Sequence, residues 1–99
     1  STNLSQVYII ENPLTGLIKI GISARLEKRV KELSGGGQTQ LFIVYSSKLI
    51  SNAQDIKDSI MEDLKDYKKF GEWFNVSLSE VLKVAKKNEK DMYVEKPTF

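Results

Sequence analysis

A phenol, an ammonium and a guanidinium follow one another along the first third of the chain, as Tyr8, Lys19 and Arg29. Tyr8 lies in Val7-Tyr8-Ile9-Ile10 and Lys19 in Ile18-Lys19-Ile20-Gly21-Ile22-Ser23. Both segments alternate like β-strands, and Asn12-Pro13-Leu14-Thr15-Gly16 supplies turn residues between them. Alternation sets Tyr8 against Val7 and Ile9, and puts Lys19, Gly21 and Ser23 on one face. In an antiparallel hairpin Tyr8 and Lys19 can then share a face beside Gly21, where no Cβ fills the space. Arg29, eight residues beyond Gly21 and on the expected next helix, can lean over that face. Such a trio attracts a phosphodiester, because arginine offers a bidentate fork and lysine a point charge. The same residues also have plainer uses: an aromatic packed under a helix, a lysine snorkelling from a sheet, a solvated charge.

Composition narrows the chemistry. The 99 residues fit one domain, and none is Cys or His. Disulfides, thiolate metal sites, imidazole catalysis and His-bound zinc are therefore excluded within this chain. A metal here would be a hard cation such as Mg²⁺ on carboxylate oxygen. The net charge is only +2, but residues 17–33 carry five basic residues against two acidic ones, a local +3. That stretch contains Arg25, Lys28 and Arg29, a patch able to meet phosphate. No apolar run has the length of a membrane span and no signal pattern opens the chain, so the expected setting is cytoplasmic, with no membrane partner.

The elements that must position these groups can be read in outline. Strands are expected near 5–11, 17–22 and 40–46, and helices near 24–34, 52–67 and 78–89. Leu26, Val30 and Leu33 form one stripe on the first helix, with Ser23 as its expected N-cap and Ser34-Gly35-Gly36-Gly37 as its stop. The apolar run Phe42-Ile43-Val44-Tyr45 suggests a third strand covered at least in part on both faces. Ala53, Ile56, Ile60, Leu64 and Tyr67 give the long helix one core face. Ser77-Leu78-Ser79-Glu80 reads as a capping box, with Val76 and Val81 as its staple. Gly71-Glu72-Trp73-Phe74 reads as an extended or turn segment returning to the sheet, with Trp73 closing a sheet edge. The fold class is α+β: a small antiparallel three-stranded sheet flanked by three helices, one domain over 1–90 with a tail over 91–99.

This order resembles the GIY-YIG nuclease-like superfamily over roughly residues 6–76. Val7-Tyr8 is similar to the end of the first family motif, with Gln6 in place of its glycine, and Lys19-Ile20-Gly21 is similar to the second, with Lys19 in place of its tyrosine. Arg29 at its spacing and the closing Gly-Glu-Trp-Phe look most like the phage and mobile-element branch. The resemblance implies a tyrosine for proton transfer, an arginine on the phosphate, and a helical glutamate holding one divalent metal. The implied glutamate falls fourteen residues before Gly71, at Lys57. Leu33 and Met61 stand where relatives often carry other side chains, a histidine or tyrosine at Leu33 and a histidine at Met61.

A protonated lysine cannot ligate Mg²⁺ and opposes its binding. Tyr8, Lys19 and Arg29 are thus the candidate remnant of a catalytic set, and Arg25, Lys28, Arg29 and Lys57 the expected contacts to a nucleic-acid backbone, DNA first. No metal is expected. If the chain is active, Mg²⁺ or Mn²⁺ would be needed, with Glu72 as the fallback ligand, or Asp58, in place of the missing acid. Glu72 has a plainer reading too, as a turn residue paired with Lys68 or Lys69. The function expected is a nucleic-acid-binding domain with a degraded nuclease site. The alternatives are an active metal-dependent DNA endonuclease and a protein-interaction domain whose contact surface is the tail or the acidic long helix. Oligomeric state is not legible.

Overall fold

The computed structural model describes residues 3–95. β1 (Gln6–Glu11) and β2 (Ile18–Ser23) form the expected antiparallel hairpin, with Tyr8 opposite Gly21 and Ile10 opposite Lys19. Its loop is held by Asn12, whose side chain accepts from the Leu14 N–H and whose carbonyl accepts from the Gly16 N–H. α1 (Leu26–Leu33), β3 (Phe42–Ser46), α2 (Ala53–Asp63), β4 (Lys68–Phe70), β5 (Trp73–Phe74) and α3 (Leu78–Asn88) follow. The sheet runs β3-β1-β2-β5-β4, and every pairing is antiparallel.

Among the described residues the fold is α+β with three helices, but the sheet has five strands where three were expected. The added pair is a tight hairpin around Gly71, whose φ of +54° suits a residue without a Cβ. At three and two residues, β4 and β5 are too short to show alternation. Their pairing also shortens α2, which was expected to reach Tyr67. The helix stops at Asp63, residues 65–67 tighten into a 3₁₀ turn, and the Tyr67 carbonyl accepts from the Asn75 N–H. Tyr67 is therefore exposed rather than core. Trp73 is not at an edge, because β4 lies outside β5.

The strongly apolar β3 is itself an edge strand, and its expected cover is only partial: Val44 and Tyr45 pack against the core, while Phe42 and Ile43 are 44% and 45% exposed. α1 begins later than expected. Ser23 does not cap it but accepts from the Arg25 N–H in a local turn. The Ser77 cap of α3 is formed, accepting from the Glu80 N–H at 3.1 Å, and Val76 and Val81 are both buried. The start of the expected tail stays on the body: Met92 packs against the core, Val94 bridges Ile50, and the Tyr93 N–H donates to Asn52. Residues 96–99 of that tail lie outside the described residues.

Alternation divides the hairpin into two faces of different character. Val7, Ile9, Ile18 and Ile20 enter the main core with Ala53, Ile56, Ile60 and Leu64 of the α2 segment, Phe74 of β5, and Val81, Val84 and Ala85 of α3. Tyr8, Ile10, Lys19 and Gly21 occupy the other face, which lies outside that cluster. α1 packs on β2 with no residue fully buried and with Leu26, Val30 and Leu33 half-buried.

Candidate functional site

Tyr8 is 1% exposed, and its ring lies across Gly21. A Cβ on Gly21 would collide with the Tyr8 hydroxyl and ring. Glycine at this position is thus the condition for the tyrosine to lie flat across the neighbouring strand. The Arg29 guanidinium, carried by α1, comes near the Tyr8 hydroxyl. The neighbouring Tyr8 hydroxyl raises the Arg29 pKa against the guanidinium's own desolvation, with a lesser contribution from Glu32. Glu32 is 3.6 Å away and holds the guanidinium only at the surface. Tyr8 and Arg29 therefore come together as expected, and Arg29 keeps an exposed flank.

Lys19 is paired differently from any expectation. Its Nζ donates to Glu72 Oε1 at 2.7 Å, and Lys57 Nζ donates to Glu72 Oε2 at 2.7 Å. The two lysine side chains are only 9% and 13% exposed. Burying ammonium groups is costly unless they are paired and hydrogen-bonded, and the shared carboxylate supplies both conditions. Three elements build the arrangement. β2 supplies Lys19, α2 supplies Lys57, and the Gly71 turn into β5 supplies Glu72, whose carbonyl accepts from the Ile20 N–H. Lys19 also stands 6.0 Å from the Trp73 ring centroid, in cation–π range. Desolvation works against the Glu72 carboxylate, but hydrogen bonds and charge from Lys19 and Lys57 outweigh it and lower its pKa. The expected pairing of Glu72 with Lys68 or Lys69 is not made: both of those lysines are exposed.

Arg25 and Lys28 line an open groove with Gln6, Leu26, Glu27 and Ile43, between the start of α1 and the β3 edge. They are not in contact with the Lys19–Glu72–Lys57 cluster, so the expected basic set divides into a surface group and a buried group. Asp58 is exposed on α2 and accepts from Gln54. Leu33 is half-buried on α1.

A bound divalent cation does not fit these residues. Both Glu72 oxygens are engaged by ammonium groups, and among the described residues no three acidic side chains converge. The Lys19–Glu72–Lys57 cluster instead carries a net charge of +1.

A family model for the T5orf172 domain matches residues 5–89. The chain belongs to the T5orf172 domain family. This family is phage-associated and endonuclease-related. No curated protein and no solved structure matches it. The matched span starts just before β1 and ends just after α3, and so contains Tyr8, Lys19, Arg29, Lys57 and Glu72. Among the described residues no helix is long and apolar enough to cross a membrane.

Proposed function

We propose that this T5orf172 domain binds nucleic acid, DNA first, through backbone contacts, and that it has a GIY-YIG-like site altered so that it grips without cutting. The observation that carries the reading is the Glu72 carboxylate held between Lys19 and Lys57. An acid engaged twice over by ammonium groups is a poor ligand for Mg²⁺ or Mn²⁺, and the surplus positive charge repels a cation. The same surplus attracts phosphate. Arg29, beside Tyr8, presents a fork to a phosphodiester at the surface, and Arg25 and Lys28 extend the positive surface along the groove. Contacts of this kind set affinity and register on the backbone and carry no base sequence.

Fluorescence anisotropy with duplex and single-stranded oligonucleotides at stepped salt tests the reading. Arg29→Ala should weaken binding and reduce the salt slope by about one phosphate contact. Wild-type chain incubated with supercoiled plasmid and Mg²⁺ or Mn²⁺ should leave it intact. Metal-dependent cutting abolished by Glu72→Gln would overturn the non-cutting reading in favour of an active endonuclease. Absence of binding even at low salt would overturn nucleic-acid binding itself. The open β3 edge with its exposed Phe42 and Ile43 favours the protein-interaction reading in that event.

A further inference from the structure

The lysine pair around Glu72 has a feature that backbone binding alone does not require. Its two ammonium groups take one oxygen each of a single carboxylate, both at 2.7 Å. Neither lysine has a second ion-pair partner among the described residues. Two nearly buried positive charges thus share one negative charge, and a buried excess charge favours any anion that can reach it.

The three members are not equally anchored. Lys19 is fixed on a central strand and Lys57 on a helix, whereas Glu72 sits in the tight Gly71 turn with 34% of its side chain exposed. Glu72 is therefore the member able to swing out. A phosphate offers a pair of oxygens much like those of a carboxylate, with at least as much charge, and so fits the same two donors.

We propose that Lys19 and Lys57 form a phosphate clamp that Glu72 fills from within the chain, and that an incoming phosphate takes the carboxylate's place. The clamp rests on the nucleic-acid reading only for its source of phosphate, a backbone phosphodiester. Its chemistry applies equally to free phosphate. Glu72 then acts as a built-in competitor that weakens binding and keeps the two ammonium groups paired until phosphate arrives.

The test uses the whole chain, with inorganic phosphate and a single-stranded oligodeoxynucleotide as separate probes. Glu72→Gln is melted in phosphate and in chloride at one pH and one ionic strength. Its melting temperature should rise saturably with phosphate, and the rise should disappear in Lys57→Met/Glu72→Gln. In the oligonucleotide arm, Glu72→Gln should bind roughly tenfold more tightly than wild type, the size of one hydrogen bond to a charged group. A phosphate-dependent rise without that gain supports the clamp and assigns it to free phosphate. A folded Glu72→Gln that melts identically in phosphate and chloride overturns the clamp.

If Glu72→Gln does not fold, wild type decides. The Glu72 side-chain carboxyl carbon signal should move on titration with phosphate and stay fixed in Lys57→Met, and a signal unmoved in wild type at tens of millimolar phosphate overturns the clamp. Failure of the underlying reading looks different. Loss of oligonucleotide binding in Arg29→Ala alongside an inert Glu72→Gln leaves nucleic-acid binding standing and removes the clamp. A wild type that binds no oligonucleotide removes the reading, while the melting arm still decides the clamp.

Discussion

Lys57→Glu should create a divalent-metal site where the wild-type chain resists one. The substitution turns the Lys19–Glu72–Lys57 cluster from a net +1 to a net −1, since a cation is replaced by an anion. Two unit charges about 5 Å apart interact by about 0.8 kcal/mol even at the dielectric constant of water. A divalent ion that sees the local charge change by two gains about four times that, or about 3 kcal/mol. At about 1.4 kcal/mol per tenfold, the affinity rises more than a hundredfold. This is a lower bound, because the lysine Nζ being replaced lies in a side chain only 13% exposed, where screening is weaker. The shorter glutamate leaves a gap between carboxylates that an ion with oxygen ligands at about 2.1 Å can bridge. Titration calorimetry with Mn²⁺ on wild type and Lys57→Glu reads the change directly, with circular dichroism to show that both are folded. Adding Lys19→Tyr removes the last ammonium of the cluster and should strengthen Mn²⁺ binding by about a further tenfold. A folded Lys57→Glu whose Mn²⁺ affinity stays within tenfold of wild type would refute the electrostatic reasoning, and with it the view that Lys57 is what keeps a cation out.

Two further outcomes follow from the same geometry. Gly21→Ala places a Cβ against the Tyr8 ring and should destabilise the domain by about 1–3 kcal/mol, or roughly 5–20 °C in melting temperature. Pairing it with Tyr8→Leu should recover much of that loss, and a double-mutant cycle with no coupling would show that the two residues do not meet. The lowered Glu72 pKa gives a pH signature. Its stabilising contribution is present above the ordinary value of 4.5 and is lost as pH falls through the lower folded value. Denaturant midpoints should therefore separate wild type from Glu72→Gln at neutral pH, with the gap closing as the pH falls below 4.5 and through the lower folded value. A gap that stays constant down to pH 2 would contradict a paired, charged Glu72.

What could be read in the sequence depended on how far apart the cooperating residues lie. The β1–β2 hairpin is local, so its alternation and its turn residues were enough to put Tyr8 and Lys19 on one face beside Gly21, and the ladder then sets Tyr8 opposite Gly21. Arg29 was legible for a similar reason, since the helix that carries it follows β2 after two residues. The β4–β5 hairpin was legible only as the return of residues 71–74 to the sheet. Its five residues bear no alternation, and only the ladder to β2 makes them strands. That ladder is also what carries Glu72 to Lys19, 53 residues away in sequence, instead of to the neighbouring lysines that local reasoning would choose.

The edge position of β3 was hidden as well, because an apolar strand reads the same whether or not a neighbour covers it. Lys57 is the most instructive case. Counting positions identified it as a cation where the family resemblance implies an acid, and so identified a loss. What counting could not show is that a buried ammonium must find an anion. β5 delivers Glu72 to it, and β2 delivers a second ammonium to the same carboxylate. The substitution is therefore read best with its partners: the three residues form one charged unit, and changing any one of them alters what the other two can bind.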